Sequence, residues 1–149
     1  MKQHWIVLLM SMTAASCALA QVTVKDAWIR ATVPAAQAGG AFMQLQSAQD
    51  ARLVGVRSPV AGTVEIHQME MAGQTMRMHA IAGLDLPAGK PVDLASGGYH
   101  VMLLDLKHQL KEGETVPLTL LIQKKNKQTV TLTVDVPVKP LTYAAPASH

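Results

Sequence analysis

Thr129-Val130-Thr131-Leu132-Thr133-Val134 alternates polar and apolar side chains without a break. Successive side chains on a strand point to opposite faces, so this segment reads as a strand with one wet and one buried face. Its neighbour Pro117-Leu118-Thr119-Leu120-Leu121-Ile122 is more apolar, and the basic Lys124-Lys125-Asn126-Lys127 between them reads as a solvated hairpin tip. Working back toward the N-terminus, similar short runs predict strands over 22–24, 27–32, 40–46, 52–57, 63–71, 75–81, 90–94, 99–106, 116–123 and 128–136. Turn residues separate them: Pro34, Pro59 to Gly62, Ala72-Gly73, Pro87-Ala88-Gly89, Ser96-Gly97-Gly98 and Lys111 to Glu114. No stretch keeps a helical period. Many short strands with regular turns predict an all-β antiparallel sandwich or barrel.

The chain has 149 residues, enough for one domain with its own core. Hydrophobic residues make up 49% but aromatic ones only 3%, so the core must be built from Val, Leu, Ile, Ala and Met. No internal repeat or long linker divides the sequence. Residues 1–20 read as a signal peptide: Met1-Lys2, an apolar run from Trp5 to Met12 too short to span a membrane, and Ala18-Leu19-Ala20 before Gln21. A rival processing signal is Ala14-Ala15-Ser16-Cys17, which resembles a lipoprotein cleavage site with Cys17 as the acylated residue. The expected organisation is 1–20 signal peptide, 21–139 β domain and 140–149 flexible tail, with the protein placed in the periplasm and no membrane span in the mature chain.

Cys17 is the only cysteine, so the folded domain has no thiol. That excludes disulfides, Fe–S clusters, Cys nucleophiles and a blue-copper site within it. Loss of Lys2 with the signal lowers the net charge from +3 to +2, too little to point to nucleic acid or an anionic membrane.

The chemistry gathers in Glu65-Ile66-His67-Gln68-Met69-Glu70-Met71, Met76-Arg77-Met78-His79 and Tyr99-His100-Val101-Met102. These hold five of the six Met and three of the five His after residue 20. Strand alternation gives His67, Met69 and Met71 one face, Met76 and Met78 one face, and His100 and Met102 one face. A turn centred on Ala72-Gly73 would set Met69 against Met76 and His67 against Met78. Such an imidazole and thioether set favours Cu(I) over zinc, calcium or magnesium. Plain core packing of these Met residues is the competing reading. There is no nucleophile elbow, phosphate loop or CxxC, and no general base stands near the set, so an enzyme is not expected.

The spacing from His67 is ten residues to Met78, twenty-one more to His100 and one more to Met102. This resembles the copper motif H-x10-M-x21-H-x-M of the PCu(A)C family of periplasmic copper chaperones. Ala27-Trp28-Ile29-Arg30-Ala31, Met76-Arg77-Met78 and Leu86-Pro87-Ala88-Gly89 resemble the family too, and the likeness runs over roughly 22–138. It implies a cupredoxin-like Greek-key β-sandwich or barrel and one accessible Cu(I) held by His67, Met78, His100 and Met102, with Met69 as a possible additional ligand. Implied partners are the Cu(A) subunit of cytochrome c oxidase or a Sco-type copper protein. A tail rich in His and Met, present in some members, is reduced here to His149. Met71 and Met76 are expected to shield or pack, His79 and His108 to be bystanders, and Trp28 to lie in the core. The alternative function is periplasmic copper storage or tolerance with no dedicated oxidase acceptor.

Overall fold

The alternation in 129–134 belongs to a longer strand than the sequence bounds. A computed structural model describes residues 21–95 and 97–146, so the signal-peptide segment, Cys17 and His149 lie outside the described residues. Ten strands form: β1 (Val22–Arg30), β2 (Ala38–Ser47), β3 (Ala51–Arg57), β4 (Ala61–Ala72), β5 (Thr75–Ile81), β6 (Leu84–Leu86), β7 (Val92–Leu94), β8 (Tyr99–Leu106), β9 (Thr115–Lys124) and β10 (Thr129–Lys139). No helix occurs among the described residues, and none is long and apolar enough to cross a membrane.

The strands make one sheet in the order β5-β4-β8-β7-β2-β1-β10-β9-β3-β6. β10 joins its two halves. Its Thr129–Pro137 stretch pairs antiparallel with β9, while Val138 and Lys139 run parallel to Ile29 and Arg30 of β1. The other parallel contact, Leu94 with Tyr99, joins β7 to β8. Both halves face one core: Ile29, Ala41, Leu45, Val101 and Leu103 from one, Leu53, Val116, Leu118, Leu120 and Ile122 from the other. Each fully buried aliphatic side chain contributes on the order of 1.5–3 kcal/mol. The all-β expectation holds, and the core is aliphatic as the composition requires, with Met43 the one methionine buried in it.

Several boundaries are corrected. Segments 22–24 and 27–32 are one strand, interrupted by a bulge: the register shifts between Lys25 and Trp28, and Asp26 takes φ 52°. β6 escaped the sequence reading, and the strand expected over 90–94 shrinks to Val92–Leu94, because Pro91 has no N–H to give a ladder. Trp28 is buried but on the outer face: its partner across the ladder is Phe42, whose neighbours Ala41 and Met43 point into the core. Residues 140–146, expected as the start of a flexible tail, turn back onto that face. The Arg30 guanidinium donates to the carbonyls of Leu141 (2.9 Å) and Tyr143 (3.4 Å), and the Tyr143 ring sits edge-on to Trp28 at 4.9 Å.

Candidate metal centre

β4 and β8 lie side by side with His67 directly opposite His100, and their rings are 5.7 Å apart between centroids. One step along, Glu65 opposes Met102. β8 in turn pairs with β2, where Gly40 opposes Met102 and Ala41 opposes Val101. The next step brings Phe42 beside His100, with rings 6.3 Å apart, and Phe42 stacks on Trp28 at 4.6 Å. A row Trp28–Phe42–His100–His67 therefore crosses four strands on the outer face. A Cβ on Gly40 would lie 3.2 Å from Phe42 Cζ, so the missing side chain leaves that ring room beside the site.

The β4–β5 hairpin is corrected by two residues. Its central pair is Gly73-Gln74, with Gly73 at φ 67° supplying the left-handed position that a two-residue type II′ turn needs. Met71 therefore opposes Met76 and Met69 opposes Met78, while His67 opposes Ala80. A shift of two leaves each side chain on its expected face. Met78 reaches over β4 so that its Sδ lies 3.0 Å from His100 Nε2.

Proton placement on the two imidazoles follows from their partners. His67 Nε2 stands 2.7 Å from Glu65 Oε2, so the N–H there donates to the carboxylate. His67 Nδ1 is buried and has no hydrogen-bond partner. His100 bonds the Gly98 backbone, which places its proton on Nδ1 and leaves the Nε2 lone pair facing the Met78 sulfur. Burial lowers the His100 pKa, the neighbouring His67 lowers it further, and only the Gly98 bond opposes them. His100 is thus held neutral. The His100 Nε2 lone pair and the Met78 sulfur are two donors facing each other, and the buried His67 Nδ1 is a further nitrogen with no partner.

Of the residues singled out in sequence, His67, His100 and Met78 converge directly. Met102 lies two residues along β8 on the same face as His100, and Met69 lies opposite Met78. His79 is on the other face, 3.8 Å from Glu70, and His108 is exposed and bonds the Gln109 carbonyl. Met71 and Met76 do not pack: they are 60% and 44% exposed. Glu65 was missed, though its two-residue spacing from His67 already put both on one face. Among the described residues no three His, Asp or Glu side chains form a metal cage, so a metal here must lean on thioethers. That donor set suits a soft cation.

A protein of Leifsonia xyli subsp. xyli, "Putative lipoprotein Lxx21020", is 31% identical over 119 residues, covering 79% of this chain and 69% of its own length. The solution structure of CuI-DR1885 from Deinococcus radiodurans is 33% identical and superposes with a TM-score of 0.60, covering 87% of this chain and 85% of that one. The apo PCuAC domain from PmoF1 superposes with a TM-score of 0.67 at 23% identity, covering 81% of this chain and 95% of that domain, and shows the shared fold. Residues 22–136, nearly all of the strand-forming region, match the LpqE-like family, described as "Putative lipoprotein LpqE-like". The chain belongs to the LpqE-like family.

Proposed function

We propose that this protein is a copper chaperone, binding Cu(I) at His67, Met78, His100 and Met102 and passing it to a partner protein. The observation that carries this reading is the bare His100 Nε2 facing the Met78 sulfur at 3.0 Å, beside the unpartnered buried Nδ1 of His67. Imidazole and thioether donors without a thiolate select a soft cuprous ion. The likeness to the solution structure of CuI-DR1885, at 33% identity, supports the same ion here.

The chemistry is carriage, with no bond made or broken in an organic substrate. His67 and His100 are 9% and 7% exposed, whereas Met78 is 47% exposed. The imidazoles form a fixed floor, and the thioether is the ligand a partner reaches first. Replacement of one ligand at a time through a shared-copper intermediate lets the ion leave without ever being free. The partner class we propose is a Cu(A) domain of cytochrome c oxidase or a Sco-type protein. The work is done outside the cytoplasm, in the periplasm. That the matching family and the Leifsonia relative are both described as lipoproteins lends weight to anchoring at Cys17 beside release after Ala20.

The test is a Cu(I) titration against a competing chelator, run beside a Met78→Ala/His100→Ala variant, followed by mixing loaded protein with a Cu(A)-domain apoprotein. A tight first equivalent that the variant loses, and that moves to the acceptor, supports the proposal. Equal binding in parent and variant overturns it. Tight binding with no transfer leaves copper storage as the function.

A further inference from the structure

The β4–β5 ribbon is two-faced. Gln68, Glu70, Arg77 and His79 share one face. The other carries Met69, Met71, Met76 and Met78 in two directly opposed pairs, Met71 with Met76 and Met69 with Met78. Opposed residues have Cβ atoms about 4.5–5.5 Å apart, within the reach of two thioethers on one ion.

Packing does not explain this face. Met71 and Met76 are 60% and 44% exposed, and neither belongs to the core. Nor does plain hydrophobicity, which any aliphatic residue would satisfy. The buried core is built mainly from Val, Leu and Ile, with Met43 its one methionine, yet Met stands at all four of these paired positions. What Met supplies and Leu does not is a sulfur lone pair. Met78 is drawn toward His100, which leaves Met69, Met71 and Met76 as three adjacent sulfurs with no partner assigned.

We propose that Met69, Met71 and Met76 form a second, thioether-only site for a soft monovalent cation, Cu(I) or Ag(I), outboard of the His/Met centre. It contains no group that protonates near neutral pH, so binding there is independent of pH over the range in which imidazoles titrate. The opposed pair Met69–Met78 joins it to the inner centre, so an ion taken up at the exposed tip has thioethers along its way to His100.

The experiment uses protein labelled with ¹³C at the methionine methyls, titrated with Ag(I) and, in parallel, with Cu(I) against a chelator. The parent is expected to take two equivalents, the second more weakly. That second equivalent should move the Met69, Met71 and Met76 methyls and leave the buried Met43 methyl unmoved. In Met71→Leu/Met76→Leu the second equivalent weakens at least tenfold and the first stays. In Met78→Ala/His100→Ala the first is lost and the second stays. Saturation of the parent at one equivalent, or a second equivalent that keeps its affinity in Met71→Leu/Met76→Leu, overturns the inference. Should the double Leu variant not fold, the methyl shifts of the parent decide alone. Failure of the chaperone reading is distinct: it leaves Met78→Ala/His100→Ala binding its first equivalent as the parent does.

Discussion

Met78 Sδ lies 3.0 Å from His100 Nε2 although the two residues sit on strands that never pair, β5 and β8, with β4 between them. Two strand spacings are about 9.5 Å, so the unbranched Met side chain must reach across β4 to make this approach. It does so one pair further along from His67, which leaves both imidazoles and the sulfur around one point above the sheet. The relationship carries consequences for protonation, for the carboxylate behind His67 and for the stability of the scaffold.

The His100 imidazole should titrate below the ordinary value of 6.5, because burial and then the neighbouring His67 disfavour its charged form. The unfolded chain takes up this proton first as the pH falls. The apo protein therefore loses stability from about pH 6.5 downward until the folded midpoint is passed, and this group gives no dependence above 6.5. An NMR titration of the His100 Cε1–H resonance measures the midpoint, and a value at or above 6.5 contradicts the prediction. His100→Gln should flatten the fall in stability across that window.

Glu65 holds the His67 N–H at Nε2, which leaves the buried Nδ1 as the bare nitrogen. Partners that orient a ligating imidazole typically matter by 10–100-fold in metal affinity. Glu65→Gln is expected to weaken Cu(I) binding about tenfold with little loss of fold, since the carboxylate is partly solvated. Unchanged affinity in the chelator competition would show that Glu65 does not set the His67 tautomer.

Leu120 is fully buried between the halves of the sheet, while Leu121 lies on the other face of β9 and is half-buried. Leu120→Ala should cost about 2–5 kcal/mol through lost transfer energy and the cavity left behind. Leu121→Ala should cost less. Urea unfolding of the apo proteins compares them, and a reversed order would mean that the strand faces are misassigned.

Arg30 fastens residues 141–143 over Trp28, and its guanidinium lies 5.0 Å from that ring. In the chain from Gln21 onward, where Trp28 is the one indole, Arg30→Ala should shift the emission to longer wavelength as water reaches the ring. It should also speed chymotryptic cleavage after Tyr143, whose ring is docked on Trp28. Unaltered emission would show that the segment stays docked by the Tyr143–Trp28 contact alone.

Strand alternation made most of the fold legible, because it survives small errors of boundary. The hairpin shows why. Placing the turn on Ala72-Gly73 instead of Gly73-Gln74 moved every pair by two residues, yet His67, Met69 and Met71 stayed on one face because the period is two. β6 was not legible, since Leu84-Asp85-Leu86 is too short for a period to declare itself and depends on its pairing with β3. Docking of Tyr143 was hidden for another reason: it depends on Trp28 facing outward, which the bulge at Asp26 sets. At the site, donor types and spacings stood in the sequence, but tautomers did not, because alternation puts Glu65 on the face of His67 without saying that the two side chains bond, or that Gly98 bonds His100.

The β4–β8 ladder ends at Gln68 opposite Tyr99, whereas the β4–β5 ladder continues to Ala72 opposite Thr75. Beyond Gln68 the hairpin is an overhanging two-stranded ribbon, tied back by the Met69 N–H to the Gly98 carbonyl. Ribbons of two strands twist and bend more readily than the sheets they leave. Gly98 also fixes the His100 ring, so this carbonyl is a pivot: the imidazole sits on one side of it and Met78 rides on the arm at the other. Bending the arm alters the Sδ–Nε2 gap while the floor of the site stays still. The sulfur–imidazole spacing is geared to the shape of the hairpin, as a latch is to its handle.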